Sequence, residues 1–328
     1  MRTRLREVCV LAVSLGMYGC SRLPAPAAPS PARPADEEQI FVADWANQRI
    51  VRLSDMRGAG WVTLGADERG QHAFHFPVGI CLDQTGRIYI SEQYHQRIVR
   101  SDDMLGTNWI CYEPPDRATR PVNKFAGSWI CVDRTGRIYL TYDGDHRIVR
   151  MDDMQGTNRV TFGSEGSGTN QFHYPAGIAV DDAGRIYIAD FDNFRIVRID
   201  DMHGTNWIEL GSYGSGDQQF INPSGICVDQ QERIYIADQG NDRIVRIDDM
   251  RGTNWTTIGT FGTEPRPGQL YGPTGICVDR LGRIYMTQSS SNHRMVRIDD
   301  MSGANWTVLG GGGTGYGNFA SPMGICVR

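Results

Sequence analysis

Short apolar runs alternate with clusters of glycine, aspartate and asparagine along most of the chain, and they do so in a set order. Between residues 175 and 211, Pro175-Ala176-Gly177 leads into the apolar run Ile178-Ala179-Val180, which Asp181-Asp182-Ala183-Gly184 breaks. A second run, Arg185-Ile186-Tyr187-Ile188-Ala189-Asp190, is interrupted by Phe191-Asp192-Asn193-Phe194. The third is Arg195-Ile196-Val197-Arg198-Ile199, and a turn from Asp200 to Thr205 returns the chain into Asn206-Trp207-Ile208-Glu209-Leu210. β-Branched and aromatic runs of this length, bounded by turn formers, predict the strands of an antiparallel meander.

The same order is written six times. The element Arg-Ile-Val-Arg begins at Arg49, Arg97, Arg147, Arg195 and Arg243, and recurs as Arg294-Met295-Val296-Arg297, at separations of 48, 50, 48, 48 and 51 residues. An Asp-Met pair follows each copy, from Asp55-Met56 to Asp300-Met301. Four strands per ~48 residues is the period of a propeller blade. The chain's pattern opens at Gln39-Ile40-Phe41-Val42, which matches the second strand of the unit. It ends at Pro322-Met323-Gly324-Ile325-Cys326-Val327-Arg328, which matches the first. The expected fold is therefore all-β, a six-bladed β-propeller over residues 39–328, its ring closed by the C-terminal strand joining the first blade, which leaves no open edge between the ends.

The runs Gly177-Ile178-Ala179-Val180-Asp181, Gly184-Arg185-Ile186-Tyr187-Ile188-Ala189-Asp190 and Asn193-Phe194-Arg195-Ile196 resemble the NHL repeat. The Asp-Asp-Met-x-Gly-Thr-Asn-Trp hairpin departs from that family by lengthening each copy. The resemblance implies an interaction or sensor module. Related propellers also include a peptidylglycine amidating lyase, lactonases and a streptogramin lyase.

The N-terminus has a different character. Arg2, Arg4 and Arg6 precede an apolar run from Val8 to Met17 that ends at Gly19-Cys20. A basic head and an apolar core of ~10 residues predict an export signal, since a membrane span needs ~20. The segment 1–19 resembles a bacterial lipoprotein signal, with Cys20 as the acylated residue. Residues 20–38, with Pro24, Pro26, Pro29, Pro31 and Pro34, have the composition of an extended tether. The expected location is the bacterial cell envelope, periplasmic or outer surface, lipid-anchored, and the expected state is a monomer.

Charge narrows the range of partners. The chain carries 33 Lys and Arg against 38 Asp and Glu, a net charge of −5, and its single lysine is Lys124. Without the leader's three arginines and Glu7 the balance becomes −5 − (3 − 1) = −7. Nucleic acid is not an expected partner, because phosphate binding needs clustered cations unopposed by acids. The 39 glycines of 328 residues follow no triplet rule, which excludes collagen.

Recurring residues are read first as scaffold. Cys81, Cys131, Cys227, Cys277 and Cys326 occupy one innermost-strand position where the fourth copy has Ala179, so a small apolar side chain is wanted there. Neighbouring blades hold such positions too far apart for disulfides. The Asp-Asp-Met turns lack the spacing of a calcium loop, and each Asp can cap its own turn. Trp61, Trp109, Trp207, Trp255 and Trp306 fall on the outer strand, where packing between blades accounts for them.

Candidate chemistry lies on the face that carries the loops between strands two and three and between blades. Asp44, Glu92, Tyr142, Asp190 and Asp238 end the second strands there, with Asn193 and Asn241 in the loops that follow. These form the expected ligand face for a protein, peptide or glycan; the alternative role is capping of loop backbone and pairing with the next arginine. His75, His95, His146 and His173 fall on the same face and are the candidate metal ligands. Blade three departs from the repeat, with Trp129 in place of glycine and Tyr142 in place of the acid. The expected function is non-enzymatic binding without a cofactor. Its rival is a metal-assisted lyase or lactonase-type enzyme with a site at the channel mouth, its cofactor zinc or calcium, in which the four histidines with Glu92 would serve the reaction.

Overall fold

Each repeat folds into one four-stranded antiparallel sheet, and the computed structural model describes residues 38–65, 72–115 and 129–328. The predicted leader, Cys20 and the tether up to Glu37 lie outside the described residues. In blade four the strands run Pro175–Val180, Ile186–Asp190, Arg195–Ile199 and Ile208–Leu210, from the axis outward. Five further sheets repeat this order, and the innermost strands of neighbouring blades pack side by side around the axis. The second and third strands are buried almost throughout, because a blade is covered by neighbours on both faces and loses simple alternation.

The ring closes as the two chain ends predict. Pro322–Val327 is the innermost strand of blade one and pairs antiparallel with Ile40–Asp44, Val327 opposite Ile40 and Ile325 opposite Val42. Gln39 and Arg328 extend the ladder by exchanging backbone hydrogen bonds of 3.2 and 3.0 Å.

Two motifs owe their recurrence to turn chemistry. In the first hairpin of blade four, Asp181 accepts from the amides of Ala183 and Arg185, from Arg185 Nε at 2.5 Å and from Tyr187 Oη at 3.0 Å. The same set recurs at Asp83, Asp133, Asp229 and Asp279, which explains why Arg-Ile-Tyr opens the second strand. In the Asp-Met turn, Asp201 caps the amides of His203 and Thr205, and the His203 amide foremost holds its carboxyl below the usual range. These aspartates are turn builders.

Four of the five outer tryptophans meet an aromatic ring from the segment that enters their blade. Trp61 lies 5.3 Å from Phe319, Trp109 5.2 Å from Phe74, Trp207 5.3 Å from Phe172 and Trp255 5.2 Å from Phe220, centroid to centroid. The partner recurs three residues before each innermost-strand proline, with Leu270 in blade six.

The six described cysteines are free thiols. Cys111 is exposed on the outer strand of blade two, whereas burial pushes the thiols of Cys81, Cys131, Cys227, Cys277 and Cys326 far above their ordinary value. Because only the thiolate attacks a disulfide reagent, a raised pKa means slow reaction at neutral pH. Ellman's reagent followed by peptide mapping should label Cys111 in minutes and the other five only after denaturation. Rapid labelling of the five would contradict this picture of the inner strands.

Candidate functional site

The second strand of every blade delivers a fully buried side chain to the loop face: Asp44, Glu92, Tyr142, Asp190, Asp238 and Gln288. Three of these sit in identical settings. Asp190 accepts from the His173 amide at 2.7 Å, Asn193 Nδ2 at 2.8 Å and Arg195 Nε at 2.9 Å. Asp44 does the same with Ala320, Asn47 and Arg49, and Asp238 with Ile221, Asn241 and Arg243. The arginine then reaches carbonyls of the preceding inter-blade loop, as Arg195 does to Ser167 and Gln171. Burial pushes the carboxyls of Asp44, Asp190 and Asp238 up, and these hydrogen bonds pull against it.

The structure thus places Asp44, Asp190, Asp238, Asn193 and Asn241 inside the fold, where they tie each blade to the loop beside it. Tyr142 is buried in the core between blades two and three. The surface that faces solvent begins one or two residues later along the chain. Trp129, Asp143, Tyr174, Ala176, Phe191, Asp192, Ser224, Gln239, Thr274, Ser289 and Met323 line a cavity of about 320 Å³. These residues come from blades three, four, five, six and one, so the cavity is the mouth of the axis on the loop face.

One close approach that recurs around the axis is absent from blade three. Gly79, Gly177, Gly225, Gly275 and Gly324 pack innermost strands against the backbone of the next blade, and a Cβ on Gly177 would stand 2.4 Å from the Ser224 carbonyl oxygen. Blade three has Trp129 at this position, and its innermost strand is only Ile130–Val132. Trp129 packs in part against the core between blades three and four and in part lines the mouth. Aromatic faces, two carboxylates, hydroxyls and an amide converge there, and among the described residues the lining includes no lysine or arginine. Such a surface suits stacking and hydrogen bonding to a hydroxyl-rich or cationic ligand.

The four candidate histidines do not share one point. His146 Nδ1 accepts from the Tyr174 amide at 3.1 Å, and its ring stacks on His173 at 5.3 Å between blades three and four. His146 is thus a cap, and His293 repeats that role with the Ser321 amide at 2.9 Å. In blade two, by contrast, one donor atom each from His75, Glu92 and His95 lies within 4.8 Å of the others. The sequence places His75 and His95 on the loop face, but it does not single out Asp143, Asp192, Gln239 and Ser289, which line the cavity. Their available signal is position: each follows the buried strand-end residue by one or two places.

Comparisons with known proteins agree with this architecture. The NHL repeat family matches residues 172–199 and 220–247, the first three strands of blades four and five with their entering segments. No curated protein matches the chain. Among solved structures, one from a nidogen/laminin complex superposes with a TM-score of 0.62 at 16% identity, covering 88% of this chain and 98% of that one. A protein of unknown function from Bacteroides caccae gives 0.60 at 13% identity, covering 89% and 98%. Virginiamycin B lyase from Staphylococcus aureus gives 0.50 at 20% identity, covering 71% and 69%. The chain is a six-bladed β-propeller that carries NHL repeats in its fourth and fifth blades.

Proposed function

We propose that this chain is an exported propeller, anchored in the cell envelope through lipidated Cys20, that binds a protein, peptide or glycan at the loop-face mouth without transforming it. The cavity around Trp129 carries the reading. It gathers side chains from five blades onto one concave surface of about 320 Å³, and its polar groups face inward from a rigid ring. The similarity to a structure from a nidogen/laminin complex supports a protein ligand, and the lyase neighbour supports the rival, an enzyme at the same mouth.

Trp129→Ala is the direct test, because a desolvated tryptophan at a binding centre typically carries ~2 kcal/mol or more, about a 30-fold change in Kd. The full chain should be screened against soluble glycans and against neutral and basic peptides, then the variant measured on every ligand found. The expected result is a loss of that size in a variant that stays folded, its melting temperature lowered by the loss of the packing that Trp129 makes against the core between blades three and four. Ligands that bind the variant unchanged would remove the mouth as the site, and turnover of a bound ligand would favour the enzyme.

A further inference from the structure

Blade two departs from the repeat at Glu92 and His95 and joins to them His75, whose position blade four also fills with histidine, and the three converge. In blades one, four and five the strand-two end is an aspartate that accepts from the backbone two residues before the innermost-strand proline, as Asp44 does from Ala320 at 2.7 Å and Asp238 from Ile221 at 2.9 Å, and Gln288 of blade six accepts likewise from Tyr271 at 3.1 Å. In blade two that acid is Glu92, one methylene longer, and its carboxylate is directed elsewhere. Oε2 accepts from Arg97 Nε at 3.1 Å and Nη2 at 3.0 Å, while Oε1 meets His95 Nδ1. His95 stands where blades one, four and five have Asn47, Asn193 and Asn241, the amides that otherwise satisfy the acid. His75 stands where blades one and five have Ala320 and Ile221.

The two imidazoles meet edge to face, with centroids 4.5 Å apart. The Nδ1 atom of His75 is buried and has no hydrogen-bond partner, which is costly for a polar atom unless something else occupies its lone pair. Among the described residues, His75, Glu92 and His95 are the one set of three or more His, Cys, Asp or Glu whose donor atoms come this close. None of them lines the mouth cavity.

We propose that His75, Glu92 and His95 form a binding site for a zinc-class divalent cation on the loop face of blade two. Two imidazole nitrogens and one carboxylate oxygen are the donors that zinc, cobalt and nickel prefer, whereas calcium and magnesium require oxygen. A tetrahedral ion with bonds of ~2.1 Å needs donors about 3.4 Å apart, so the present spacing closes by small side-chain rotations. Arg97 fixes the far oxygen of Glu92 and leaves Oε1 for the ion, as an outer-shell partner does. Its positive charge also lowers the affinity below that of the same donors without it. Three protein donors leave a fourth position open to water or to an anionic group of a ligand, beneath the half-exposed ring of Tyr94, which lies 5.4 Å from His95.

The test uses the full, tag-free chain stripped with chelator and titrated with Zn²⁺ alone by calorimetry, and with Co²⁺ followed by its visible absorption. One equivalent should bind. His95→Asn restores the residue found in the other blades and should keep the fold intact while weakening binding at least tenfold; His75→Ala should do the same. His173→Ala removes the histidine at the matching position of blade four, where Asp190 and Asn193 retain the ordinary cap, and should change nothing. Absence of saturable Zn²⁺ binding, or binding that His95→Asn and His75→Ala both leave intact, would overturn the proposal.

Discussion

Deleting residues 322–328 should open the ring and lower the melting temperature by more than ~10 °C, or leave the chain insoluble. The segment is small but it holds the innermost strand of blade one. Its loss strips Ile40–Asp44 of a whole ladder and exposes a strand edge next to a buried core. Ile325 is 5% exposed, and burying an isoleucine contributes ~2–3 kcal/mol. Backbone bonds add about 1 kcal/mol each, and the partly buried Val327 and Cys326 add less. A sum of roughly 5 kcal/mol or more is a large share of the ~5–15 kcal/mol that holds a domain together. At ~2–4 °C per kcal/mol for a chain of this size, the shift is measurable by thermal circular dichroism. Removing seven residues of the tether, 22–28, is the matched control and should leave the melting temperature unchanged. A melting temperature within ~3 °C of the parent after deletion of 322–328 would mean that blade one stands without its inner strand.

The ring was legible in the sequence for the reason that makes this deletion severe. Every blade buries both faces, so each must repeat the same apolar runs at the same spacing, and the half-unit at each end can only be completed by the other. Turn residues were legible too, since Asp181 or Asp201 does its work within four residues of its own backbone. The site was legible to the level of a face and no further. Asp190 ends the strand and points into the fold, while the 3-10 turn Phe191–Asn193 that follows brings Phe191 and Asp192 to the mouth, a change of course that strand alternation does not announce. The histidines depend on longer-range placement. His75 and His173 share one repeat position, yet one ring meets His95 and the other stacks on His146. What separates them is Glu92 against Asp190 and His95 against Asn193, differences read only once the loops are seen side by side.

The recurring glycines of the turns and of the innermost strands should behave as two classes, and the contrast measures how tightly the axis is packed. Gly184 sits in a turn at φ +85° with open space around its missing Cβ. Gly184→Ala should therefore cost only the left-handed backbone strain, about 1–2 kcal/mol. At Gly177 and Gly275 the backbone is ordinary, but a Cβ would stand 2.4 Å from the Ser224 oxygen and 2.3 Å from the Met323 oxygen. Neither neighbour can yield without moving a whole blade, because each belongs to an innermost strand held on both sides. Overpacking of this kind costs ~3 kcal/mol or more, so Gly177→Ala and Gly275→Ala should unfold at clearly lower denaturant than Gly184→Ala. Equal midpoints for the three would show that the axis can expand. Trp129 supplies the complementary case. It holds the equivalent position in blade three, where it lines the mouth and packs against the core between blades three and four, so Trp129→Gly would remove core packing and a mouth-lining side chain together. Five junctions packed through glycine and one that carries tryptophan thus differ at a single repeat position.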